Sequence, residues 1–178
     1  MLLAFILAAF WFREELRDFV VDDTRFAKEI GAAARRNGLD PQLVRAVVFQ
    51  ESRFDPFVRG RAGEVGLMQV LPSGAAAEWS RLNGRKAPDA NALYDPAVNL
   101  EIGCWYLAYG MRKYAAYRNA AELALARYNA GESRSEKWKP SRRDGGVIER
   151  ITIPGTKSYV TRIMKRYRKY KAEEEKPR

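Results

Sequence analysis

Residues 51–72 read ESRFDPFVRGRAGEVGLMQVLP and join one strongly helical segment to the next. The helix before them is predicted to begin at Asp40-Pro41, where aspartate is a good N-cap and proline is harmless in the first turn. It carries leucine and valine on one face and ends at Glu51. We expect partial burial there to raise the pKa of the Glu51 carboxyl toward the range useful for proton donation. On this pattern alone, a solvated glutamate at a helix end remains the commoner alternative.

The loop after Glu51 ends in GLMQ, residues 66–69. Gln69 supplies an amide side chain, while Met68 and Leu71 supply apolar surface that is equally typical of a plain core. Sugar-binding sites combine amide groups for the hydroxyls with apolar faces for the ring. Gly66 is predicted to serve a tight backbone turn.

Helical patterns dominate the rest of the chain. We expect helices from Asp23 or Thr24 to Asn37-Gly38, from Pro72 to Asn83-Gly84, from Asp95-Pro96 onward, from Ala120 to Tyr128, and from about Thr156. A polar basic loop is expected over residues 132–146, and a short hairpin is possible within residues 53–65. The predicted fold class is therefore all-α, with about seven helices around one core.

Composition excludes several kinds of active site. The chain has no histidine and one cysteine, so Ser-His and Cys-His nucleophiles, most zinc sites and an intrachain disulfide are excluded. Cys104 lies among apolar residues and is interpreted as a small buried hydrophobe. We expect no cofactor and no metal.

The net charge of +10 is concentrated near the C-terminus, because residues 133–178 contain 15 Lys/Arg and 6 Asp/Glu. Such a basic region predicts an anionic partner: nucleic acid, an acidic membrane surface or a polyanionic polymer such as cell-wall glycan. A merely solvated basic face is an equal alternative. No nucleic-acid-binding signature is present, so we expect no nucleic acid as a partner.

The first twelve residues, MLLAFILAAFWF, are all apolar, which is short of the roughly 20 residues that span a bilayer. We interpret residues 1–20 as a possible signal or anchor with its lead-in, and a core helix is the alternative. Residues 21–170 are predicted to form the functional domain, and residues 171–178 a charged tail.

The segment at 51–72 closely resembles the first signature of the soluble lytic transglycosylase (SLT) family: Glu-Ser, an Asn/Asp-Pro, a glycine-containing loop, then Gly-Leu-Met-Gln and a proline. Three further elements resemble the family in the same order: NLEIGCWYL at 99–107, ARYNAG at 126–131 and ITIPGTKSYVTRI at 151–163. The resemblance runs from about Ala32 to Tyr167.

This resemblance implies a lysozyme-like α domain with a substrate cleft, which cleaves the β-1,4 bond between N-acetylmuramic acid and N-acetylglucosamine of peptidoglycan. It implies Glu51 as the catalytic acid/base and a 1,6-anhydromuramic product formed without water. The implied substrate-binding residues are Ser52, Met68, Gln69, Leu71, Tyr128, Asn129 and Tyr159. Ser52 is expected to hydrogen-bond near the Glu51 carboxyl. The implied location is the bacterial cell envelope, and we expect a monomer.

Three positions depart from the family pattern. A serine is common where this chain has Gly60, an alanine where it has Arg127, and a glutamate where it has Gly155. The missing glutamate weakens the case for assistance by the substrate's N-acetyl group. Glu64 could compensate as a second carboxylate, although a solvated loop charge is the better interpretation from sequence.

Two rival functions remain at this stage. A hydrolytic muramidase resembling goose-type lysozymes would need a carboxylate to activate water, and Glu64 and Asp55 are the nearby candidates. An inactive domain that only binds glycan is the second rival, and the joint presence of Glu51, Gln69, Tyr128 and Tyr159 speaks against it.

Overall fold

Helices account for nearly all the regular structure in the computed structural model, which describes residues 21–176. Its seven α-helices are α1 Ala27–Arg36, α2 Pro41–Ser52, α3 Ala77–Asn83, α4 Pro96–Lys113, α5 Ala120–Ala130, α6 Glu132–Ser135 and α7 Pro154–Glu174. A π-helical turn precedes α3 at Pro72–Ala76, and 3-10 turns lie at Ala92–Tyr94, Glu136–Trp138 and Ile148–Arg150. The all-α prediction is confirmed.

The predicted aspartate caps begin two of the long helices. Asp40 Oδ1 accepts from Gln42 N at 2.8 Å at the start of α2, and Asp95 Oδ1 accepts from Ala97 N at 2.7 Å at the start of α4. Proline follows each aspartate, in the first turn where its missing N–H costs no hydrogen bond.

The predicted cap of α1 is wrong. This helix begins at Ala27, after Phe26 in the left-handed region with φ 62°. The Asp22 side chain instead accepts from Thr24 N in a local turn, and Asp23 Oδ1 pairs with Arg45 Nη2 at 2.8 Å. The Thr24 hydroxyl also donates to Asp22, and no side chain caps α1.

Two other boundaries differ from the sequence prediction. The loop expected at residues 132–146 begins with α6, because Lys113 and Arg127 both pair with Glu132 and hold this segment against α4 and α5. Helix α7 begins at Pro154, two residues before the expected start near Thr156, and continues to Glu174. The hairpin suggested for residues 53–65 is reduced to isolated bridges that pair Val65 with Arg59 and with Val70.

The core is built from α4 and α5 packed on each other, with α1 against α4 and α7 across α2 and α5. Cys104 is fully buried in it, as predicted. This packing brings the C-terminal end of α2 and the first half of α7 together, although they are about a hundred residues apart in sequence. The apolar segment 1–12 lies outside the described residues; within 21–176, no helix is both long and apolar enough to cross a membrane.

Candidate functional site

Glu51 lies in the last turn of α2, half-buried, and its carboxyl faces α7. The Tyr159 hydroxyl donates to Glu51 Oε1 at 2.5 Å. Burial raises the pKa of Glu51 to about 7, the Tyr159 hydrogen bond opposes this rise, and the negative charge of Glu64 adds to it. The expectation of a raised pKa at Glu51 therefore agrees with the geometry, and the carboxyl is able both to give and to take a proton near neutral pH.

Two tyrosines face this carboxyl from different helices. Tyr159 of α7 is 5% exposed, and Tyr128 of α5 is half-buried. Burial, and next the nearby Glu51 charge, raise the pKa of both hydroxyls well above the ordinary value, so both remain protonated donors. Tyr128 donates to Met68 O at 2.8 Å, and its ring meets Tyr106 edge-on with 5.4 Å between centroids. Tyr159 thus orients Glu51, whereas Tyr128 ties α5 to the GLMQ turn.

The Ser52 hydroxyl, expected to hydrogen-bond near the Glu51 carboxyl, bonds to backbone oxygens and not to the carboxyl itself. Ser52 is buried, and the nearer acceptor for its hydroxyl is Leu67 O at 2.9 Å, with Val48 O as the alternative acceptor at 3.2 Å. The side chain points inward from α2 on the same face as Val48, one turn earlier. The chain reverses directly afterwards, with Arg53 at φ 51° and Phe54 at φ 63°. Ser52 therefore joins the end of α2 to the GLMQ turn and supports the site from beneath.

Met68 does not line an open surface, contrary to the sequence expectation. Its side chain is fully buried against α4, where a β-carbon at Gly103 would lie 2.5 Å from Met68 Sδ. Only its backbone serves the site, since Met68 O accepts from Tyr128. Leu71 is half-buried and remains available as an apolar wall.

Gln69 is held with its amide in one orientation. Its Nε2 donates to Gly66 O at 2.9 Å and Val58 O at 3.1 Å, which leaves Oε1 facing Gly60. The turn is tight: Gly66 has φ 76°, and a β-carbon there would overlap the Asn99 side chain and lie 2.7 Å from Leu93 O. The turn predicted at Gly66 is confirmed.

Asn129 lies at the exposed end of α5. Its Oδ1 accepts from Thr156 Oγ1 at 2.7 Å, so the hydrogen bond sets the amide with its Nδ2 group toward solvent. Thr156 is buried in the first turn of α7. The start of α7 therefore positions both Asn129 and Glu51, through Thr156 and Tyr159.

Arg127, at the position where an alanine is common, is 2% exposed behind Tyr128. It pairs with Glu78 of α3 at 3.0 Å and with Glu132 of α6 at 3.1 Å, and its guanidinium lies 4.4 Å from the ring centroid of Tyr106. Arg127 thus links α3, α5 and α6 behind Tyr106 and Tyr128, and its side chain does not line the site.

Asn99 and Thr156 are functional positions that sequence reasoning missed. Asn99 is fully buried in α4, accepts from Met68 N at 2.8 Å and donates to Val65 O at 2.7 Å and Leu93 O at 2.8 Å. A polar residue three positions after Asp95-Pro96, on the apolar face of a helix, was the available signal. Among residues 21–176, no group of three acidic, cysteine or histidine side chains is placed to hold a metal.

Two concave surfaces lie elsewhere, at the N-terminal end of α2. They are lined by residues of α1, the start of α2 and the end of α7, among them Asp23, Gln42, Arg45 and Tyr170. Glu51 is at the opposite end of the same 12-residue helix, so neither concavity belongs to the site.

Comparison with known proteins matches this arrangement to one family. The sequence pattern of the Transglycosylase SLT domain covers residues 28–150. The membrane-bound lytic murein transglycosylase E of Buchnera aphidicola is 31% identical over 147 residues, which are 80% of this chain and 66% of that protein. The membrane-bound lytic murein transglycosylase C of Mannheimia succiniciproducens is 33% identical over 112 residues, 60% of this chain and 31% of that protein.

Solved structures give the same fold. An inactive mutant of the lytic transglycosylase Slt from Pseudomonas aeruginosa superposes with a TM-score of 0.75 at 28% identity, covering 87% of this chain and 25% of that one. The 70 kDa soluble lytic transglycosylase from Escherichia coli gives a TM-score of 0.71 at 24% identity over 83% of this chain and 25% of that one. The predicted lysozyme-like helical fold is confirmed. This chain spans two thirds or less of each of these relatives.

Proposed function

Because this chain belongs to the Transglycosylase SLT domain family, we propose that it is a peptidoglycan lytic transglycosylase. Its substrate is then the glycan strand, cut at the β-1,4 bond between N-acetylmuramic acid and N-acetylglucosamine. One observation carries the proposal: the Tyr159 hydroxyl donates to the half-buried Glu51 carboxyl at 2.5 Å. Burial raises the pKa of this carboxyl to about 7. A group of this kind can serve as acid and then as base at neutral pH.

The reaction needs one carboxyl and no water. Protonated Glu51 gives its proton to the glycosidic oxygen as the bond from that oxygen to the muramic C1 breaks. The resulting carboxylate then takes the proton of the muramic 6-hydroxyl, and O6 bonds to C1. The products are a free 4-hydroxyl on N-acetylglucosamine and a 1,6-anhydromuramic end, and Glu51 is protonated again. Ordinary glycosidases need a second carboxylate as nucleophile or water activator.

The remaining side chains have distinct parts in this proposal. Tyr159 positions Glu51, while Asn129 Nδ2 and Gln69 Oε1 have hydrogen-bonding capacity available for sugar hydroxyls and N-acetyl groups. Leu71 offers an apolar wall, and Met68 and Ser52 act only through the backbone they support. Gly155 has no side chain, and a β-carbon there would meet nothing within 4 Å, so this position itself offers the N-acetyl group no carboxylate.

A hydrolytic muramidase is the second candidate, because Glu64 places a second carboxylate on the loop that follows Glu51. Glu64 would then activate a water molecule that attacks C1. The two candidates differ in the ends that they leave. Purified peptidoglycan is digested, and the new muramic ends are measured before and after borohydride reduction. We expect non-reducible anhydro ends, and predominantly reducible ends would favour the hydrolase instead.

We further propose that residues 21–170 act as the catalytic domain in the bacterial cell envelope, and that the basic face of α7 adheres to an anionic wall or membrane surface. Exposed cations on one side of this helix support the second point: Arg162, Lys165 and Lys169 follow the three- and four-residue spacing of neighbouring turns. An anchoring role for residues 1–20, a monomeric state and the absence of a nucleic-acid partner remain expectations.

A further inference from the structure

The loop between α2 and the GLMQ turn contains a contact that the proposed reaction does not use. Gly60 has no side chain, and the Glu64 carboxylate lies so close above it that a β-carbon at position 60 would overlap Glu64 Oε2. Gln69 Oε1 lies 2.9 Å from the same point. The glycine therefore allows two oxygen acceptors from different parts of the loop to come together.

The backbone of the loop fixes both acceptors. The Gln69 amide is oriented by its two donations to Val58 O and Gly66 O, so its oxygen, and not its nitrogen, faces Gly60. Glu64 Oε2 accepts from Ala62 N at 3.0 Å, and Gly60 N donates to Glu64 O at 2.8 Å, which closes the turn. Neither oxygen needs to move to meet a ligand.

The two oxygen acceptors receive few hydrogen bonds from the protein. The hydrogen bonds among residues 21–176 bring no donor to Gln69 Oε1, and they bring only Ala62 N to the Glu64 carboxylate. Both side chains are half-buried, so a ligand covering them must supply a donor or leave buried acceptors unsatisfied. The turn that carries Gln69 is joined to the helix that carries Glu51 by the hydrogen bond from Ser52 to Leu67 O. The charge of Glu64 also raises the pKa of Glu51.

We infer that Glu64 and Gln69 form a subsite for an N–H donor at C2 of an amino sugar in the strand that is cleaved. This inference rests on the proposed function. The donor is either the N–H of an acetamido group or the ammonium of a de-N-acetylated sugar, and a carboxylate strengthens the bond to either. Glu64 is thus a specificity-determining residue of the site.

The test measures kcat and KM for Glu64→Ala and Glu64→Gln on soluble glycan strands, both N-acetylated and chemically de-N-acetylated. We expect Glu64→Ala to raise KM about tenfold with a smaller change in kcat, as the loss of one charge-assisted hydrogen bond predicts. Glu64→Gln keeps an oxygen acceptor and should lose less. Glu29→Gln, which removes an exposed carboxylate from α1, is the matched control and should match the wild type.

A larger loss on N-acetylated strands identifies the acetamido N–H, and a larger loss on de-N-acetylated strands identifies the ammonium. Gly60→Ser adds an independent check, because its β-carbon displaces the Glu64 carboxylate and should raise KM, whereas it should have little further effect on Glu64→Ala. If both Glu64 variants have the wild-type KM on both substrates, the inference is overturned. Glu51→Gln is assayed in parallel. If Glu51→Gln is inactive and the Glu64 variants are unaffected, the inference fails but the proposed function stands. If Glu51→Gln is fully active, the proposed function is refuted.

Discussion

Glu51 is subject to two opposing effects on its ionisation. Burial favours the neutral carboxyl, while the hydrogen bond from Tyr159 favours the carboxylate, and the balance sets the pKa at about 7. The charged or titratable groups around it come from three elements: Tyr159 on α7, Tyr128 on α5 and Glu64 on the loop. A proton donor and acceptor near neutrality follows from this balance.

Replacing Tyr159 by phenylalanine removes the hydrogen bond that favours the carboxylate, so the pKa of Glu51 should rise. Since the acid must be protonated to act, the alkaline limb of the pH–rate profile should move to higher pH. We also expect turnover to fall about tenfold or more, because the carboxyl loses its orienting donor. The measurement is kcat between pH 5 and 9. An unshifted limb would contradict the assigned role of Tyr159.

Glu51 should also lower the stability of the fold at alkaline pH. The folded carboxyl holds its proton up to a pKa of about 7, against 4.5 in an ordinary environment, so the unfolded chain binds fewer protons between these values. Stability therefore falls as pH rises through this window. Glu51→Gln removes the effect, and we expect its Tm to exceed that of the wild type by about 5–10 °C at pH 8 and by much less at pH 4.5. Equal Tm values at pH 8 would be evidence against a buried carboxyl.

At the scale of elements, α4 holds the GLMQ turn through one side chain. Asn99→Ala leaves Met68 N, Val65 O and Leu93 O without their buried partner, and the cost should be about 2–4 kcal/mol of unfolding free energy. Asn91→Ala, at an exposed position outside α4, is the control and should cost under about 0.5 kcal/mol. Urea unfolding measures both. Equal effects of the two substitutions would show that Asn99 does not hold the turn.

The helix boundaries show what local sequence determines. Asp40-Pro41 and Asp95-Pro96 predicted the starts of α2 and α4 because cap and helix lie within a few residues of each other. The predicted cap of α1 is wrong because Arg45, in the second turn of another helix, pairs with the Asp23 carboxylate. A competing partner from elsewhere in the fold is invisible to a local pattern.

The site shows the same division between local and long-range information. The raised pKa of Glu51 was predictable from an apolar helix that ends in a glutamate, and the glycine turn was predictable from GLMQ. The inward direction of Ser52 and Met68 was not, because each depends on a partner in another element, Leu67 O and Gly103. The bond between Tyr159 and Glu51 joins residues 108 positions apart, so only the packing of α7 on α2 reveals it.

At the scale of the whole molecule, the charge distribution predicts which face of the protein binds peptidoglycan. Reversing Lys165 and Lys169 to glutamate should weaken binding to insoluble peptidoglycan several-fold at low salt, because exposed charges act over a Debye length of about 8–10 Å. Lys28→Glu with Lys86→Glu changes the net charge equally but lies outside the basic face. Co-sedimentation with peptidoglycan at increasing NaCl concentration measures the binding of both double variants. Salt-independent binding, or equal losses for the two pairs, would argue against α7 as the adhesive face.

The most direct measurement of the central claim is mass spectrometry of the muropeptides that wild type, Glu51→Gln and Glu29→Gln release from purified peptidoglycan. A single proton-transferring carboxyl predicts 1,6-anhydromuropeptides from the wild type and from Glu29→Gln, and none above background from a folded Glu51→Gln protein. If Glu51→Gln released anhydromuropeptides at the wild-type rate, the claim that Glu51 transfers the proton would be contradicted.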